Sequence, residues 1–393
     1  KDFFLAKLSA DGKKWLWALA GHCPEDVIAN DIAVDSKGNS YLIGTFDKSL
    51  RFGKHTLIAD EYASGLFVAK VDTSGNVMWV VPSKGSIVGQ GITVDSSENV
   101  YISGRFWRSI QLGKYKIKGS DDNALRPDIL VAKLDKKGEF VWARSSFCNS
   151  DDRANLIAVD GLGNSYVTGF FIGTAKFDAI TLLGQGKWED VAILKLSPSG
   201  TFSYARSAGG MDGDIGTGIT VDPQGNVYVT GYYQGKAHFG TLTLIAKDYI
   251  ELFVTKLDAK GDFLWAKSAS IGEKSSSGTG VFGHWGGAKI SYHNGSLYLL
   301  SSFKITARLG SITLQAKGYW MNSFIAQMSL SGTFLKAYYS MGYGGISGMS
   351  WGREGDLYIA GSFWDRIQFT KKELYAVSEE KVGFIVKNPW PRF

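Results

Sequence analysis

The stretch Gly218–Tyr233, GITVDPQGNVYVTGYY, decides the fold, because it is the clearest copy of a unit that recurs six times in this 393-residue chain. Each copy carries a tyrosine in an Asp-x-x-Gly-Asn-x-Tyr pattern or a degenerate form of it. These marker tyrosines are Tyr41, Tyr101, Tyr166, Tyr228, Tyr298 and Tyr358. Their spacing of 60, 65, 62, 70 and 60 residues is typical of structural units that are stacked or arranged around an axis.

Two other positions repeat in register with the marker tyrosines. A lysine in an FVAK-like segment recurs at Lys7, Lys70, Lys133, Lys195, Lys256 and Lys387, and Gln327 takes its place once. An aromatic residue follows nine or ten residues later at Trp17, Trp79, Trp142, Tyr204 and Trp265, whereas Lys336 breaks this pattern. In four copies a weaker FG-x-x-T-L element lies between the tyrosine and the next lysine.

Each unit is predicted to be β-structure throughout. The runs ITVD, NVYVTG, LFVTKL and FLWAKS are short, alternate in polarity and are rich in β-branched and aromatic residues, which suits half-buried strands. Between them stand turn sequences such as Asp35–Asn39 and Ser197–Gly200, in which Asp or Ser accepts turn hydrogen bonds and Gly or Asn supplies positive φ. Two such hairpins make about four antiparallel strands per unit.

Four-stranded units repeated around an axis form a β-propeller, in which radial repetition leaves few exposed sheet edges. We therefore predict an all-β chain that forms a single β-propeller domain over residues 1–393. The units are approximately 9–72, 73–135, 136–197, 198–258, 259–329 and 330–393, with 1–8 as a closing strand. A linear solenoid is the less favoured alternative, because solenoid coils are usually shorter.

The ends of the chain leave the number of blades open. There are six marker tyrosines but seven copies of the lysine segment, so Phe3–Leu8 and Phe384–Lys387 compete for one place. Six blades closed by a clasp of the N-terminal and C-terminal strands is the favoured interpretation. Seven blades in a chain that lacks some residues is the alternative.

Composition excludes several classes of protein. A net charge of +6 is spread over the repeats, whereas a nucleic-acid-binding surface needs clustered basic residues. No apolar run is long enough to span a membrane as a helix.

The chain begins with Lys1 instead of Met, which suggests that a leader, a tag or a longer N-terminal region has been removed and is consistent with export. Cys23 and Cys148 are expected to be separate thiols, and no zinc-ligand spacing is present.

The repeat resembles the bacterial β-propeller repeat called SBBP. The resemblance rests on Gly-Ile-Thr-Val-Asp-x-x-Gly-Asn-Val-Tyr-Val-Thr-Gly, the FG-x-x-T-L element and Phe-Val-x-Lys-Leu-Asp-x-x-Gly-x-x-x-Trp, and it extends from about Phe3 to Lys387. It implies a propeller fold and a protein that is exported or surface-associated in bacteria, but no single activity. The fifth copy (Tyr292–Gly295) and the sixth (Trp351–Gly355) depart from the pattern.

No catalytic residues are predicted. The repeated aspartates Asp35, Asp95, Asp160 and Asp222 occur in every regular copy, so we interpret them as turn acceptors. No nucleophile elbow, phosphate loop or zinc-protease motif is present. The absence of these motifs makes a hydrolase or lyase with a site at the mouth of the propeller channel a less favoured hypothesis, but it does not exclude one.

The long connections between strands are the better place for a site, since variable loops on a rigid scaffold commonly carry binding. The candidate metal ligands are Asp151, Asp152, Asp212 and Asp214, which could bind calcium if they converge, or form a solvated acidic rim if they do not. The candidate binding residues are Phe282, His284, Trp285, Trp107, Trp188, Trp320 and Trp364. Tryptophan is a favoured interface anchor, although propeller aromatics also pack between blades.

These observations rank three functions. We predict first an exported, non-catalytic interaction module or scaffold that binds another protein, such as a component of a bacterial cell-envelope or surface assembly. A glycan-binding propeller is second; it would be expected to repeat its pockets, and the tryptophans do not occupy equivalent positions throughout. The hydrolase or lyase is third. A fold does not by itself imply any of them.

Overall fold

The computed structural model describes residues 2–60, 63–120, 126–148, 150–273, 287–316, 322–352, 355–369, 372–375 and 381–389. The chain divides into two compact units, Lys1–Ser207 and Ala208–Phe393. Over the described residues every regular element is a β-strand, as the sequence predicts. In this part of the chain no helix is long and apolar enough to cross a membrane.

The first unit contains β1 (Phe3–Leu8), β2 (Trp15–His22), β3 (Val27–Val34), β4 (Ser40–Asp47), β5 (Ser49–Phe52), β6 (His55–Ile58), β7 (Ser64–Val71), β8 (Val77–Pro82), β9 (Ile87–Val94), β10 (Val100–Phe106), β11 (Ser109–Leu112), β12 (Tyr115–Lys118), β13 (Asp128–Leu134), β14 (Phe140–Ser145), β15 (Phe147–Cys148), β16 (Arg153–Val159), β17 (Ser165–Ile172), β18 (Thr174–Phe177), β19 (Ile180–Leu183) and β20 (Glu189–Leu196). Strand β21 (Phe202–Gly210) runs from the first unit into the second.

The second unit continues with β22 (Ile215–Val221), β23 (Val227–Tyr233), β24 (Lys236–Phe239), β25 (Leu242–Ile245), β26 (Ile250–Leu257), β27 (Phe263–Glu273), β28 (Lys289–His293), β29 (Ser296–Phe303), β30 (Thr306–Leu309), β31 (Ile312–Gln315), β32 (Asn322–Ser329), β33 (Phe334–Tyr339), β34 (Met341–Trp351), β35 (Leu357–Phe369), β36 (Lys372–Tyr375) and β37 (Val382–Lys387).

The repeated unit is a four-stranded antiparallel sheet, which confirms the predicted blade. Its strands are, in order, a first strand, a tyrosine strand, a lysine strand and a tryptophan strand. The complete sheets are β3-β4-β7-β8, β9-β10-β13-β14, β16-β17-β20-β21, β22-β23-β26-β27 and β28-β29-β32-β33. At the chain ends, β1 pairs with β2, and β34, β35 and β37 form a further sheet with β36. Six-blade closure by a strand clasp stays a prediction.

The FG-x-x-T-L element is a hairpin that pairs with the preceding blade, which the sequence did not reveal. It follows each tyrosine strand, as in β5–β6 and β24–β25. Its first strand pairs with the end of the tryptophan strand one blade earlier, at Gly21↔Phe52 in the first unit and Ala208↔Phe239 in the second. Consecutive blades are therefore joined by backbone hydrogen bonds as well as by side-chain packing.

The core lies between the faces of neighbouring sheets. Ile43 of β4 and Leu66 of β7 pack with Ile87 and Phe106 of the next sheet, and all four side chains are fully buried. The same arrangement recurs along both units because each strand presents alternate residues to one neighbour. This continuous burial is the main favourable contribution to the stability of the blades.

The repeated aspartates close the turns, as predicted. In the clearest copy, Asp222 Oδ1 accepts hydrogen bonds from the backbone N–H groups of Gln224 and Asn226. Asp222 Oδ2 accepts from Asn226 Nδ2 at 2.8 Å and from the hydroxyl of Tyr228 at 3.0 Å. The same bonds are made by Asp35, Asp95 and Asp160. Four of the six marker tyrosines, Tyr41, Tyr101, Tyr166 and Tyr228, are thereby anchored to their own turns.

The repeated tryptophans join each blade to a turn of the next. Trp142 Nε1 donates to the carbonyl oxygen of Pro198 at 3.0 Å. Its indole lies against Gly200, where an added Cβ would stand 2.6 Å from Trp142 Cδ2. The same pairing of indole and turn glycine occurs for Trp17 with Gly75, Trp79 with Gly138 and Trp265 with Gly332.

This contact predicts a large effect for Gly200→Ala. A methyl group there meets both an unfavourable φ of +83° and the Trp142 ring, so we expect it to lower the free energy of unfolding by about 2–4 kcal/mol. Gly38→Ala is the matched control, because Gly38 has a φ of +89° but an added Cβ would lie 3.5 Å from Thr73. It should cost only about 1–2 kcal/mol. Equal losses in chemical denaturation would show that the indole contact contributes nothing.

Candidate functional site

The two ends of each sheet carry different kinds of connection. At one end, short turns join the first strand to the tyrosine strand and the lysine strand to the tryptophan strand, as at Val34↔Ser40 and Val71↔Val77. At the other end, where Asp47 pairs with Ser64, lie the FG hairpin and the link to the next blade. We call this end the long-connection face of each unit. It is the face on which the sequence predicts a binding site.

A cleft of about 610 Å³ opens on the long-connection face of the first unit. It is lined by Glu25, Asp47, Lys48, Ile58, Ala59, Asp60, Ala63 and Ser64. Inside it, Lys48 Nζ forms an ion pair with Glu25, and this hydrogen bond raises the pKa of Lys48. Ser64 Oγ donates to Asp47 Oδ1 at 2.7 Å. This first cleft, the Lys48 cleft, therefore has a charged floor with an apolar edge at Ile58.

A second cleft of about 300 Å³, the Trp107 cleft, shares Ser64 with the first. Its other lining residues are Ser86, Ile87, Val88 and Trp107. The Trp107 backbone N–H donates to the Ser86 carbonyl at 3.1 Å, which holds the backbone of Trp107 at the end of β10. The structure thus places one predicted binding residue, half-buried Trp107, in the wall of a cleft. That it binds a ligand stays a prediction.

Backbone strain occurs beside both clefts. The residue that leads from the tyrosine strand into the FG hairpin has a positive φ in five copies, two of which place glycine there, at Gly173 and Gly235. The first two copies instead place Lys48, with a φ of 58°, and Arg108, with a φ of 59°, and the sixth places Asp365, with a φ of 59°. A left-handed residue that is not glycine is unfavourable and is often found at functional sites. Two of the three strained residues, Lys48 and Arg108, lie beside the clefts, which supports interpreting the clefts as a site.

A group of charged residues, Arg105, Arg153 and Asp151, lies next to the Trp107 ring. The guanidinium carbon of Arg105 lies 5.2 Å from the centre of the Trp107 ring. Arg153 donates to Asp151 from Nε at 3.1 Å and from Nη2 at 2.8 Å, and its guanidinium carbon lies 5.4 Å from the Phe170 ring centre. Burial, together with the nearby Arg153 charge, lowers the pKa of Arg105 to about 10. Arg105 could not be identified from the sequence, because one arginine on a strand carries no motif.

Asp152, a predicted calcium ligand, is fully buried. Its Oδ1 accepts a hydrogen bond from the backbone N–H of Ile172 at 3.2 Å. Burial raises the pKa of Asp152 to about 8, although hydrogen bonds from Cys148 and Ile172 act in the opposite direction. Cys148 and Cys23 are both free thiols, as the sequence analysis expected. Asp152 is thus a carboxyl group whose ionised form the fold disfavours.

Of the other predicted calcium ligands, Asp151 and Asp214 have protein contacts of their own. Asp151 is bound to Arg153 in the first unit, as described above. In the second unit, buried Asp214 accepts hydrogen bonds from the backbone N–H of Gly210 at 2.7 Å and of Gln234 at 3.3 Å, and Asp212 is exposed. Within the described ranges no three His, Cys, Asp or Glu side chains are placed to hold a metal ion. Calcium binding stays a prediction.

The two other predicted binding tryptophans that lie within the described residues differ in their placement. Trp188 lies between β19 and β20 with 52% of its surface exposed. Trp364, in β35, has Lys381 Nζ 4.6 Å from its ring centre. Trp107 and Trp364 both follow a marker tyrosine by six residues, and this shared spacing shows that they occupy equivalent positions in their blades. The remaining candidates, Phe282, His284, Trp285 and Trp320, lie outside the described residues.

Comparison with known proteins identifies the repeat in one copy. The model of the SBBP family, a beta-propeller repeat, matches residues 208–232. This confirms the resemblance at the boundary of the two units; a bacterial origin stays a prediction. An uncharacterized WD repeat-containing protein of Acanthamoeba polyphaga mimivirus is 25% identical over 231 residues, which cover 50% of this chain and 17% of that protein. The chain thus spans a small part of the curated relative that it matches.

Solved structures show distant likeness. The Pan2 WD40 domain of Neurospora crassa is 12% identical with a TM-score of 0.38, over 84% of this chain and 85% of that domain. A mutant of the apocarotenoid oxygenase of Synechocystis is 8% identical with a TM-score of 0.38, over 94% of this chain and 96% of that one. Structural similarity at these TM-scores does not indicate what this chain does.

The buried Asp152 predicts a specific dependence of stability on pH. Its folded pKa lies above the ordinary value of 3.8, so its contribution to stability is fully present below about pH 4 and is lost as pH rises towards about 8. Asp152→Asn removes this loss. Over this range the stability of the variant relative to the wild type should increase by up to about 1.4 kcal/mol per pH unit.

Denaturation at pH 5 to 9 measures this difference, with Asp178→Asn at an exposed turn as the control. The control should run parallel to the wild type at every pH. A constant offset between Asp152→Asn and the wild type would show that Asp152 is ionised in the folded protein throughout.

Proposed function

We propose that this chain is a protein-interaction module that binds its partner on the long-connection face of the first unit. The observation that carries the proposal is the half-buried Trp107 indole in the wall of the Trp107 cleft, which adjoins the charged Lys48 cleft. A large aromatic ring beside charged groups is the composition of many interface hot spots. The propeller repeat and the WD-repeat-containing relative support the same class of function.

The proposal includes an exported or surface-associated, non-catalytic protein in a bacterial cell-envelope or surface assembly. Support for export comes from the family resemblance of the repeat. Support for a non-catalytic role comes from the contacts of the polar side chains. The repeated aspartates are engaged in turn hydrogen bonds, and Asp151 is held by Arg153. These groups serve the fold, which weighs against an enzyme with a carboxylate pair at this site.

Glycan binding is the second candidate. Exposed Trp188 is the observation that favours it, because a planar indole on a long connection can stack against a sugar ring. An aromatic residue occupies this position in three consecutive copies but not in the first two: seven residues before the lysine position stand Ala63, Arg126, Trp188, Tyr249 and Trp320. A lectin built from repeats would be expected to repeat its platform in every blade, so we place this function behind protein binding.

Capture of partners from envelope and secreted fractions of the source cells tests the proposal. The intact chain is compared with Trp107→Ala, which removes the cleft wall, and with Leu162→Ala, which alters an exposed apolar residue on the opposite, short-turn end. We expect a protein that the intact chain and Leu162→Ala retain, and that Trp107→Ala binds at least about tenfold more weakly.

Equal capture by all three forms would move the binding surface away from the Trp107 cleft. If no protein is captured and a glycan array gives binding that Trp188→Ala abolishes, the glycan function replaces the protein-binding one. Thermal unfolding of each variant, measured in parallel, shows whether a loss of capture reflects a loss of folding.

A further inference from the structure

Arg105 is a half-buried residue, and two of its buried donor atoms lack acceptors. Its Nε and Nη1 atoms are inaccessible to solvent, and neither has a hydrogen-bond partner within the described part of the chain. An arginine remains charged at any physiological pH, so it cannot relieve this burial by losing its proton. Unsatisfied buried donors are rare in folded proteins, and a bound water molecule or ion is one of their ordinary explanations.

The surroundings of Arg105 carry an excess of positive charge. Arg153 is close enough to act on Arg105 electrostatically, and so is Asp151. The Asp151 carboxylate, however, is engaged by Arg153 through two hydrogen bonds. Two guanidinium groups therefore share one carboxylate. The group lacks one negative charge.

The Trp107 cleft adjoins this group through the Trp107 ring. The Trp107 ring lies over the Arg105 guanidinium, and the cleft beyond it is lined by Ile87 and Val88. Ser86 occupies the same wall. A ligand that fits therefore combines an anionic group, which reaches Arg105, with an apolar group that rests against the indole.

We propose that Arg105 and Trp107 form a binding site for a carboxylate group of a peptide, with an apolar side chain beside it. The inference deepens the proposed function and rests on it for the peptide nature of the ligand. Carboxylates and guanidinium groups match in geometry and charge, and hydrogen bonds between them are among the strongest in proteins.

Titration of protein labelled with ¹⁵N-arginine tests the site directly. The Nε–H resonance of Arg105, identified by its loss in Arg105→Lys, is followed during addition of acetate and of two peptides at constant ionic strength. Acetyl-glycyl-leucine offers a C-terminal carboxylate, and acetyl-leucyl-glutamate amide offers only a side-chain carboxylate. We expect acetate and at least one peptide to shift the resonance downfield, and the stronger peptide identifies the source of the carboxylate.

Acetyl-leucyl-glutamine amide, which is neutral, and inorganic phosphate are the comparison ligands. The neutral peptide should leave the resonance in place. A response to phosphate alone would overturn the assignment of a carboxylate. Absence of any response to the carboxylates would overturn the site.

Two variants separate binding from folding. Arg105→Met keeps the length of the side chain and removes the charge, so we expect at least about tenfold weaker binding of the stronger peptide. Removal of an unpaired buried charge should also leave the unliganded protein at least as resistant to heat as the wild type. Arg51→Met, at an exposed arginine of β5, is the matched control and should bind like the wild type.

Failure of this inference can be told apart from failure of the proposed function. If Trp107→Ala loses the captured partner while Arg105→Met keeps it, the interaction face stands and the carboxylate site does not. If peptide titration succeeds but no partner is captured, the site stands as a small-molecule carboxylate site and the interaction module does not. Should Arg105→Met fail to fold, Arg105→Lys replaces it, with a smaller loss of peptide affinity as the expected result.

Discussion

The contact between an indole and the turn glycine of the following blade is the constraint on which the rest of the structure depends. Trp142 lies so close to Gly200 that an added Cβ would stand 2.6 Å from the ring, and its N–H reaches the carbonyl oxygen of Pro198. The contact needs a flat ring, a residue without a side chain and a turn of fixed shape. Because it recurs at the same end of successive sheets, it sets how closely neighbouring blades stand and so positions their opposite ends.

A consequence is that the two ends of a blade have different freedom to vary. At the short-turn end, Asp222, Asn226 and Tyr228 are coupled by hydrogen bonds, so a change in one leaves the others with unsatisfied groups. At the long-connection end, the residue at the left-handed position is Gly173 in one copy and Arg108 in another. The rigid end maintains the fold, and the variable end is where blades acquire clefts and charges of their own.

This difference explains what the sequence predicted and what it did not. The blade and the turn role of Asp222 could be predicted because every interaction involved is local and repeated. Pairing of the FG hairpin with the preceding blade could not, since Phe52 meets Gly21 only after the blades are packed. Asp151 and Asp152 form one acidic pair in the sequence, yet the first is bound to Arg153 and the second is fully buried. Burial depends on neighbours that are distant in the sequence.

Comparison of Arg105 with the equivalent residues of the other blades shows that the fold does not require a charge at this position. The residue four places after the marker tyrosine is Thr45, Phe170, Tyr232, Ser302 or Ser362 in the other copies, and all of these are uncharged. The blade can therefore be built without a cation here, and a neutral side chain avoids the loss of hydration that a buried guanidinium suffers. Uncharged residues at five equivalent positions make it hard to attribute Arg105 to packing. An anion that arrives from outside the chain would supply the missing interaction, which is the role that the carboxylate of a bound peptide would have.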